Sequence, residues 1–316
     1  MGMLRRRGPM RPEPDLPLST FQARRLCRLV AEAFGEAGLV VEVLGDHVVD
    51  ERGRAHGLRD LAAACATEPP AAWPEVVRRH VHAAVSPAPT LADLDDATLE
   101  ASCVLRLLPA AALPPDWDPA AERVTADLVS VVAIDLGDQA LMPPADALRE
   151  RAPLLPWRER AADNLRHLAD HLPLHHEGVA PQGAPDDGFD VVVGESGLVA
   201  SLALDLDALL DRLGLADRGR GVLVGAPYRH QLALRVVDGP GAATALGHLV
   251  DYTRSTYAVA PGPVTPLVHW VHEGLWRPTS SAPPQDPPLA RAAEQTRGGR
   301  VATERLHPEV AAALGI

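Results

Sequence analysis

The sequence predicts an α+β protein built from mixed β-sheets with helices packed on one face, arranged as two packed parts. Between residues 189 and 277, short β-type runs alternate with helical runs and few residues lie between them, which is the pattern of a compact α/β module. Apolar residues make up 47% of the chain but aromatic residues only 3%, so Leu, Val and Ala have to form the core. A chain of 316 residues is also long enough for about two domains.

A helix opens the N-terminal part. Ser19 precedes its apolar stripe and Gln22 lies three residues later, which is the spacing of a capping box. Gly38 ends this helix, because glycine accepts the left-handed conformation found at helix ends. The other elements predicted for this part are, in order, a strand from Leu39, a helix over 58–66, a helix from Pro74 to Val85, strands from Ser102 and Asp127, a short helix after Pro144 and a helix from Pro156 to Leu172.

The C-terminal module begins with an apolar strand from Phe189. Gly194 and Gly197 predict a four-residue hairpin loop, because both can supply the positive φ that such a loop needs. The apolar run LVASLAL from Leu198 then indicates the next strand, and Asp207 is placed to cap the helix that follows. The module is completed by two strands around a turn at 226–230, a helix after 239–244 and a hairpin that ends at Pro278.

Composition sets the predicted domain boundaries. Residues 1–18 are rich in Pro and Arg and predict a flexible tail, and residues 19–174 form the N-terminal α+β part. Residues 175–187 combine Pro, Gly and charge without periodicity, which indicates a linker. Residues 188–278 form the C-terminal α/β module. Residues 279–316 predict a second flexible tail with a short helix near its end.

The charge balance of 30 basic against 42 acidic side chains gives a net charge of −12. A surface of this sign repels phosphate backbones and anionic lipids, so we expect neither nucleic-acid nor membrane binding. Cys27, Cys65 and Cys103 lie among apolar residues without a pairing pattern, which is typical of a reducing compartment. No secretory signal and no apolar run of about 18 residues is present. We therefore expect a soluble, cytoplasmic protein that uses no cofactor.

The densest group of ionisable residues lies on the helix predicted from Pro156. His167 and His171 are four residues apart, a spacing at which two imidazoles can bind one metal ion, and Glu177 could complete the site. This pattern predicts the alternative function, a metal-dependent hydrolase that uses the region 167–177. The apolar stripe of the helix places His167 on the solvent side, which favours an ordinary exposed face.

Two further motifs resemble catalytic or phosphate-binding sites. Ser196 lies in GESGL, which is similar to a nucleophile elbow, but Leu198 stands where that motif needs a small residue. The segment GPGAAT lies between a strand and a helix, where phosphates often bind, but Pro240 lacks an N–H and Asp238 is negative. Both motifs therefore favour ordinary turns.

The remaining candidate binding residues lie on turns, and they are Arg229, His230, Glu195, Trp270 and Trp276. Arg229, with His230 beside it, stands at a turn tip, where an arginine can bind a carboxylate or an acidic partner or can pair internally with an acid such as Glu195. Trp270 and Trp276 flank the terminal hairpin. Exposed tryptophans at this position would anchor a partner, whereas buried ones would pack on the preceding helix.

The order of these motifs resembles the YtpQ-type bacterial proteins, a family without an established activity. The resemblance spans roughly residues 20 to 278, and the motifs that carry it are G-E-S-G-x-x-A-S-L at 194–202, A-P-x-R at 226–229, Asn164-Leu165 and V-x-E-G-x-W-x-P at 271–278. Family members usually have Glu where this chain has Val199, and Asp where it has His230. The resemblance implies the fold and assigns no catalytic role.

Each catalytic template fails on a named residue, which favours a non-enzymatic protein. We expect it to bind another protein through its sheet or its turn tips, as an accessory or immunity-like protein does. The metal-dependent hydrolase is the alternative, and a small-ligand binder anchored by Arg229 is a third reading. The identity of the partner, any catalytic residue and the oligomeric state stay open at this point.

Overall fold

The computed structural model describes residues 16, 18–43, 47–51, 55–86, 90–113, 120–137, 140–215, 219–239, 241–280 and 306–316. The chain divides into two compact units, one with residues up to 87 together with 259–261, and one with residues 88–258 and 262–316. Helices and antiparallel sheets occur in succession along the chain, so the predicted α+β class is confirmed. Among the described residues, no helix combines the length and the apolar character needed to span a membrane.

The described residues of the first unit form three α-helices and one small sheet. Its elements are α1 (Thr20–Glu36), β1 (Val41–Val43), β2 (His47–Asp50), β3 (Ala55–Gly57), α2 (Arg59–Thr67) and α3 (Trp73–Val85). The predicted capping box is confirmed, because the hydroxyl of Ser19 accepts from the backbone N–H of Gln22 and the Gln22 side chain accepts from the N–H of Ser19. Leu26, Val30 and Phe34 form the buried face of α1 and pack with α2 and α3.

From residue 88 onwards the chain forms two sheets and six helices within the described residues. The elements are α4 (Asp96–Ser102), β4 (Cys103–Pro109), β5 (Ala121–Arg123), β6 (Leu128–Asp135), β7 (Ala140–Leu141), α5 (Ala145–Arg149), α6 (Leu154–His171), β8 (Leu174–Val179), β9 (Phe189–Gly194), α7 (Leu206–Leu213), β10 (Val222–Tyr228), β11 (Gln231–Val236), α8 (Gly241–Val259), β12 (Val268–His272), β13 (Leu275–Pro278) and α9 (Pro308–Leu314).

Both of these sheets are antiparallel, whereas the sequence predicts mixed sheets. The larger sheet has the strand order β13-β12-β10-β11-β9-β8, and the smaller one has the order β4-β6-β5 with β7 also paired to β6. Several neighbouring strands, such as β10 and β11 or β12 and β13, are joined by turns too short for a parallel crossover. Short connections therefore dictate antiparallel pairing here.

The larger sheet carries helices on both faces, where the sequence analysis expects one covered face. Val222 and Val224 pack in the same cluster as Leu210 of α7. Leu223, between them on the strand, packs with Leu249 of α8, and α9 adds its buried residues to that same cluster. Because successive side chains of a strand point to opposite faces, a strand that is apolar throughout is buried on both sides.

Two predicted boundaries differ from the structure. The predicted linker 175–187 begins inside β8, which pairs with β9 from Leu174 opposite Gly194 to Val179 opposite Phe189. An edge strand with an exposed surface has the polar composition of a linker, which explains the error. The units divide near residue 87 and not at 174. Of the two predicted tails, residues 1–15 and 281–305 lie outside the described residues, and α9 lies within the second.

The run LVASLAL is a 3-10 helix over Val199–Asp205 and not a strand. Its apolar residues are buried in the core of the second unit, and a short apolar run has the same sequence pattern in a buried strand as in a buried turn of helix. Asp205, two residues before the predicted Asp207, caps α7 by accepting a hydrogen bond of 3.4 Å from the N–H of Ala208. We call Val199–Asp205 the 3-10 segment below.

Candidate functional site

The turn between β10 and β11 is tied to the free edge of β4 through the 3-10 segment. The backbone N–H of Ala200 donates to the carbonyl of Arg229 over 3.0 Å. The next residue, Ser201, accepts with its hydroxyl a hydrogen bond of 3.0 Å from the N–H of Leu107 on β4. Because Arg106 precedes Leu107, these two bonds bring Arg106 of the smaller sheet towards Arg229 of the larger one.

The side chain of Arg229 lies against two glycines. A Cβ atom added to Gly262 would be 2.8 Å from Cδ of Arg229, and one added to Gly197 would be 3.4 Å from the same atom. The backbone N–H of Arg229 donates to the carbonyl of Gly262 over 3.1 Å. Gly262 also has a φ of +64°, which favours glycine. The stem of Arg229 is therefore held in a slot that larger residues at these positions would occupy.

His230 completes the turn and interacts directly with Arg229. Nε of Arg229 donates to Nε2 of His230 over 3.0 Å, which requires an imidazole nitrogen without a proton. Burial lowers the pKa of His230, and the positive charge of Arg229 lowers it further. His230 is therefore held in the neutral form that accepts this bond, and its carbonyl accepts a hydrogen bond of 3.1 Å from the N–H of Gly194.

The anticipated internal pair between Arg229 and Glu195 does not form among the described residues. Glu195 is exposed in the turn after β9, and the polar partner of the Arg229 side chain is His230. The Nη atoms of Arg229 therefore have no carboxylate partner within the described part of the chain. Of the candidate residues from the sequence, Arg229 and His230 lie together, and Glu195 belongs to the adjacent turn.

Arg106 is the residue of this site that sequence reasoning missed. It is half-buried on β4 opposite Val131, and no described carboxylate forms an ion pair with it. Burial lowers the pKa of Arg106, the positive charge of Arg229 lowers it further, and Asp135 acts in the opposite direction. The sequence signal for this residue is a lone arginine inside the apolar run SCVLRLL. A charge in an apolar strand lowers stability unless it has a partner, so such an arginine indicates a candidate binding residue.

We call Arg106, Arg229 and His230 the arginine site. Its two guanidinium groups are partly removed from water, repel each other and lack carboxylate partners among the described residues. A guanidinium group presents N–H donors in a planar fork that matches a carboxylate or a phosphate. An anion bound between them would relieve the repulsion, so the arrangement suits anion binding.

The two candidate tryptophans lie on opposite faces of the sheet. Trp270 is opposite Arg277 in the pairing of β12 with β13, whereas Trp276 is opposite Val271. Trp270 is buried, and its indole N–H donates to the carbonyl of Arg220 over 2.7 Å. Trp276 is half-buried and packs against the core on the α7 side. A joint aromatic anchor formed by the two residues is therefore excluded.

The predicted metal site is not assembled. The rings of His167 and His171 are 4.4 Å apart, but Nδ1 of His171 is bonded to the carbonyl of His167 at 2.8 Å. Glu177 lies on β8 and is 3.6 Å from Nε2 of His175. Because the chain turns at Pro173, Glu177 does not continue the helix face that carries the two histidines. Within the described ranges, no three His, Cys, Asp or Glu side chains are grouped to hold a metal ion.

The GESGL motif forms a turn, but not the predicted hairpin loop, because neither Gly194 nor Gly197 has a positive φ and the 3-10 segment, not a strand, follows the turn. The hydroxyl of Ser196 accepts a hydrogen bond of 3.2 Å from the N–H of Leu198, so it closes the turn after β9.

In the GPGAAT motif, residue 240 lies outside the described residues. Gly241 begins α8, and a Cβ atom there would collide with the carbonyl of Asp186. This carbonyl oxygen is a hydrogen-bond acceptor, whereas a phosphate bound at the start of α8 would need hydrogen-bond donors.

A buried polar cluster links the two sheets and was also missed. The carboxylate of Asp127 accepts hydrogen bonds from the hydroxyl of Thr265 at 2.6 Å and that of Thr125 at 2.7 Å, and it lies 3.1 Å from Nε2 of the buried His269. Burial acts to raise the pKa of Asp127, but the hydrogen bond and charge of His269 and the two hydroxyls hold it well below its usual range. We call these four residues the Asp127 cluster.

The Asp127 cluster joins the turn between β5 and β6 to strand β12. It therefore helps to fix the smaller sheet, which carries Arg106, relative to the larger sheet, which carries Arg229. In comparisons with protein-family models, curated proteins and solved structures, nothing matches this chain.

Proposed function

We propose that this protein acts by binding and not by catalysis, and that its arginine site recognises carboxylate groups on an acidic protein partner. The observation that carries the proposal is that hydrogen bonds of Ala200 and Ser201 tie the turn of Arg229 to the strand of Arg106, while neither half-buried arginine forms an ion pair with a carboxylate in the described part of the chain. Guanidinium groups at a binding site contribute strongly when an anion replaces the water they have lost.

The surroundings of the site support a carboxylate partner. The net charge of −12 opposes the approach of a long polyphosphate, whereas a local pair of arginines can still bind a short acidic segment. The turn that carries Arg229 is held by backbone hydrogen bonds to Ala200 and Gly262. A rigid cation lowers the entropy cost of binding.

The resemblance to the YtpQ-type proteins remains a proposal, and it makes the proposal of anion binding more specific. Where that family usually has an Asp beside the arginine of the turn, this chain has His230. An Asp at this position would neutralise Arg229 internally, whereas a neutral histidine leaves the guanidinium charge available. We therefore propose that anion binding here depends on this difference.

Calorimetric titration with the peptide acetyl-Gly-Glu-Asp-Glu-Gly-amide tests the proposal. Arg106→Gln and Arg229→Gln should each weaken binding about tenfold, because each removes a charge-assisted contact worth about 1.4 kcal/mol. Arg229→Lys should weaken binding as well, because lysine keeps the charge but lacks the fork. The matched control is Arg254→Gln, which makes the same charge change on an exposed residue of α8.

Two outcomes would overturn the proposal. One is equal binding of a peptide in which Gln and Asn replace the acids. The other is an equal loss of affinity in Arg254→Gln. Titration with citrate and with inorganic phosphate separates the third reading from the sequence, because binding of a small anion without binding of the peptide would identify a small-ligand site.

A further inference from the structure

A groove of about 380 Å³ lies at the opposite end of β10 from the arginine site. It is formed by the end of the 3-10 segment, the start of α7, the start of β10 and the turn between β12 and β13. Its apolar lining includes Leu206, Leu210, Val222 and Trp276. We call it the β12–β13 groove, and it shares no residue with the arginine site.

Acidic side chains lie around this apolar lining. Asp205, Asp207 and Glu273 all line the groove. Asp205 already accepts a hydrogen bond of 2.7 Å from Nε of Arg166. Glu273 is exposed, and no cation of the described part of the chain forms an ion pair with it. The groove therefore combines an apolar surface with an acid that has no internal counter-charge among these residues.

The turn that carries Glu273 has a fixed conformation. His272 and Leu275 pair across it, and Glu273 and Gly274 form its two central residues with φ values of +49° and +76°. Two-residue hairpin loops with two positive φ values are tight and match the twist of the strands. Glu273 therefore has a defined backbone position at the rim of the groove.

Trp276 makes the groove suitable for a cation on an apolar stem. It is half-buried, packs against the core and leaves part of its indole ring on the groove. Lysine and arginine bury their methylene stems on apolar surfaces and keep the charged group near acids or water, and a cation over an indole ring gains further attraction. A groove of about 380 Å³ holds such a side chain with part of its flanking backbone.

We propose that the β12–β13 groove binds a lysine or arginine side chain of a partner polypeptide, with its stem on Trp276 and Leu206 and its charge beside Glu273. The complementarity between the apolar lining, the indole and the unpaired acid carries this inference. Arg166 pairs with Asp205, and within the described residues no cation pairs with Glu273, which leaves Glu273 for the partner.

The test is an NMR titration in which the indole N–H signals of the full chain are followed. The signal of Trp276 is identified by its disappearance in Trp276→Phe. The probe is acetyl-Gly-Lys-Gly-amide, and the matched probe is the same peptide with norleucine, which keeps the stem and removes the charge. We expect the lysine peptide to shift the Trp276 signal and to bind at least about fivefold more tightly than the norleucine peptide, because it adds a salt bridge and a cation–π contact.

Matched variants locate the charge that is responsible. Glu273→Gln should weaken binding of the lysine peptide about threefold, which is the scale of one exposed ion pair. Glu195→Gln makes the same charge change in the turn after β9 and should leave binding unchanged. Equal binding of the two peptides, or equal losses in the two variants, would overturn the proposal. Binding of 1,5-diaminopentane without binding of the peptide would also overturn it, because the site would then serve a small amine.

Discussion

The two ends of strand β10 carry opposite charges on one scaffold. At the Tyr228 end lies the arginine site, and at the Val222 end lies the acidic β12–β13 groove. A strand of seven residues separates them by about 20 Å. The 3-10 segment takes part in both, because Ala200 bonds to the Arg229 turn and Asp205 lines the groove. The charge difference thus comes from the turns, the 3-10 segment and strand β4, and not from the larger sheet that both ends share.

The two ends also differ in how their charges are held. Arg106 and Arg229 are half-buried and repel each other, whereas Glu273 is exposed and Asp205 is paired with Arg166. A charge that has lost water without gaining a partner raises the energy of the folded state, and an exposed charge does not. We therefore expect the arginine site to bind its ligand more tightly than the groove does, and its two charges to lower the stability of the fold.

The largest expected effect follows from removing Asp127, whose cluster joins the two sheets. Asp127→Ala should lower the free energy of unfolding by about 3 kcal/mol, because it leaves the buried His269 without its partner and two threonine hydroxyls without their acceptor. Urea unfolding followed by tryptophan fluorescence measures this change. Ligand binding at both ends should weaken together, since the Asp127 cluster joins the two sheets.

The pH dependence of this effect provides its control. The pKa of Asp127 is lowered in the folded state, so its contribution is present above the unfolded value of about 3.9 and is lost as the pH falls through the folded value. The difference between wild type and Asp127→Ala should therefore shrink below about pH 4. A constant difference over that range would contradict the ion pair. Asp146→Ala, which removes an exposed pair with Arg149, should leave the urea midpoint unchanged.

Much of the local structure was predictable, because it depends on neighbouring residues. The capping box of Ser19 and Gln22, the helix around His167 and the turn that carries Arg229 all follow from spacing within a few positions. The edge strand β8 was not predictable, because its exposed surface has the composition of a linker. The 3-10 segment was mistaken for a strand, because apolar content alone does not distinguish the two.

The arginine site and the Asp127 cluster could not be predicted from local sequence patterns, because each joins residues that are far apart in the chain. Leu107 and Ser201, whose bond brings Arg106 to Arg229, are 94 positions apart. Asp127 and His269 are 142 positions apart. No periodicity connects such residues, and only the tertiary arrangement makes a lone arginine in an apolar strand part of a site.

Two glycine variants should show whether the binding sites at the two ends of β10 act independently. Gly262→Ala places a methyl group against Cδ of Arg229 at a residue with φ of +64°. We expect it to lower the free energy of unfolding by about 2 kcal/mol and to weaken acidic-peptide binding about tenfold without a charge change. Gly274→Ala has a similar φ but nothing within 4 Å. It should lower the free energy of unfolding by only about 1 kcal/mol.

Titration of both variants with the acidic peptide and with the lysine peptide measures how each variant changes the affinity at each site. Gly274→Ala should leave acidic-peptide binding unchanged and weaken lysine-peptide binding, because it strains the turn of Glu273. If both variants weakened both peptides equally, the two ends would not act as separate sites.

The repulsion between the two half-buried guanidinium groups predicts a gain in the free energy of unfolding when one charge is removed. Arg106→Met keeps a long apolar stem on β4 and removes both the buried charge and its repulsion with Arg229. We expect the free energy of unfolding to rise by about 1 kcal/mol while acidic-peptide binding falls, as is common when a functional residue is replaced by an apolar one. The paired control Glu273→Gln should change stability little, since its charge is exposed. Destabilisation by Arg106→Met would show that Arg106 serves packing and not anion binding.

The smallest effect concerns His230 and the pH dependence of anion binding. The pKa of His230 lies below its usual value of about 6.5, because it is partly buried beside Arg229. Protonation adds a third positive charge to the arginine site, so affinity for the acidic peptide should rise about twofold to threefold as the pH falls from 7.5 to 5.5. The other side chains that face the imidazole are Arg229, whose Nε donates to it, and Tyr228, whose ring centroid lies 6.0 Å away and whose pKa is raised by burial. His230→Gln should therefore bind with an affinity that does not depend on pH over this range. A rise of the same size in His230→Gln would assign the effect to the peptide or to another residue. A fall in the affinity of the wild-type protein with falling pH would mean that the neutral imidazole, which orients Nε of Arg229, matters more than the added charge.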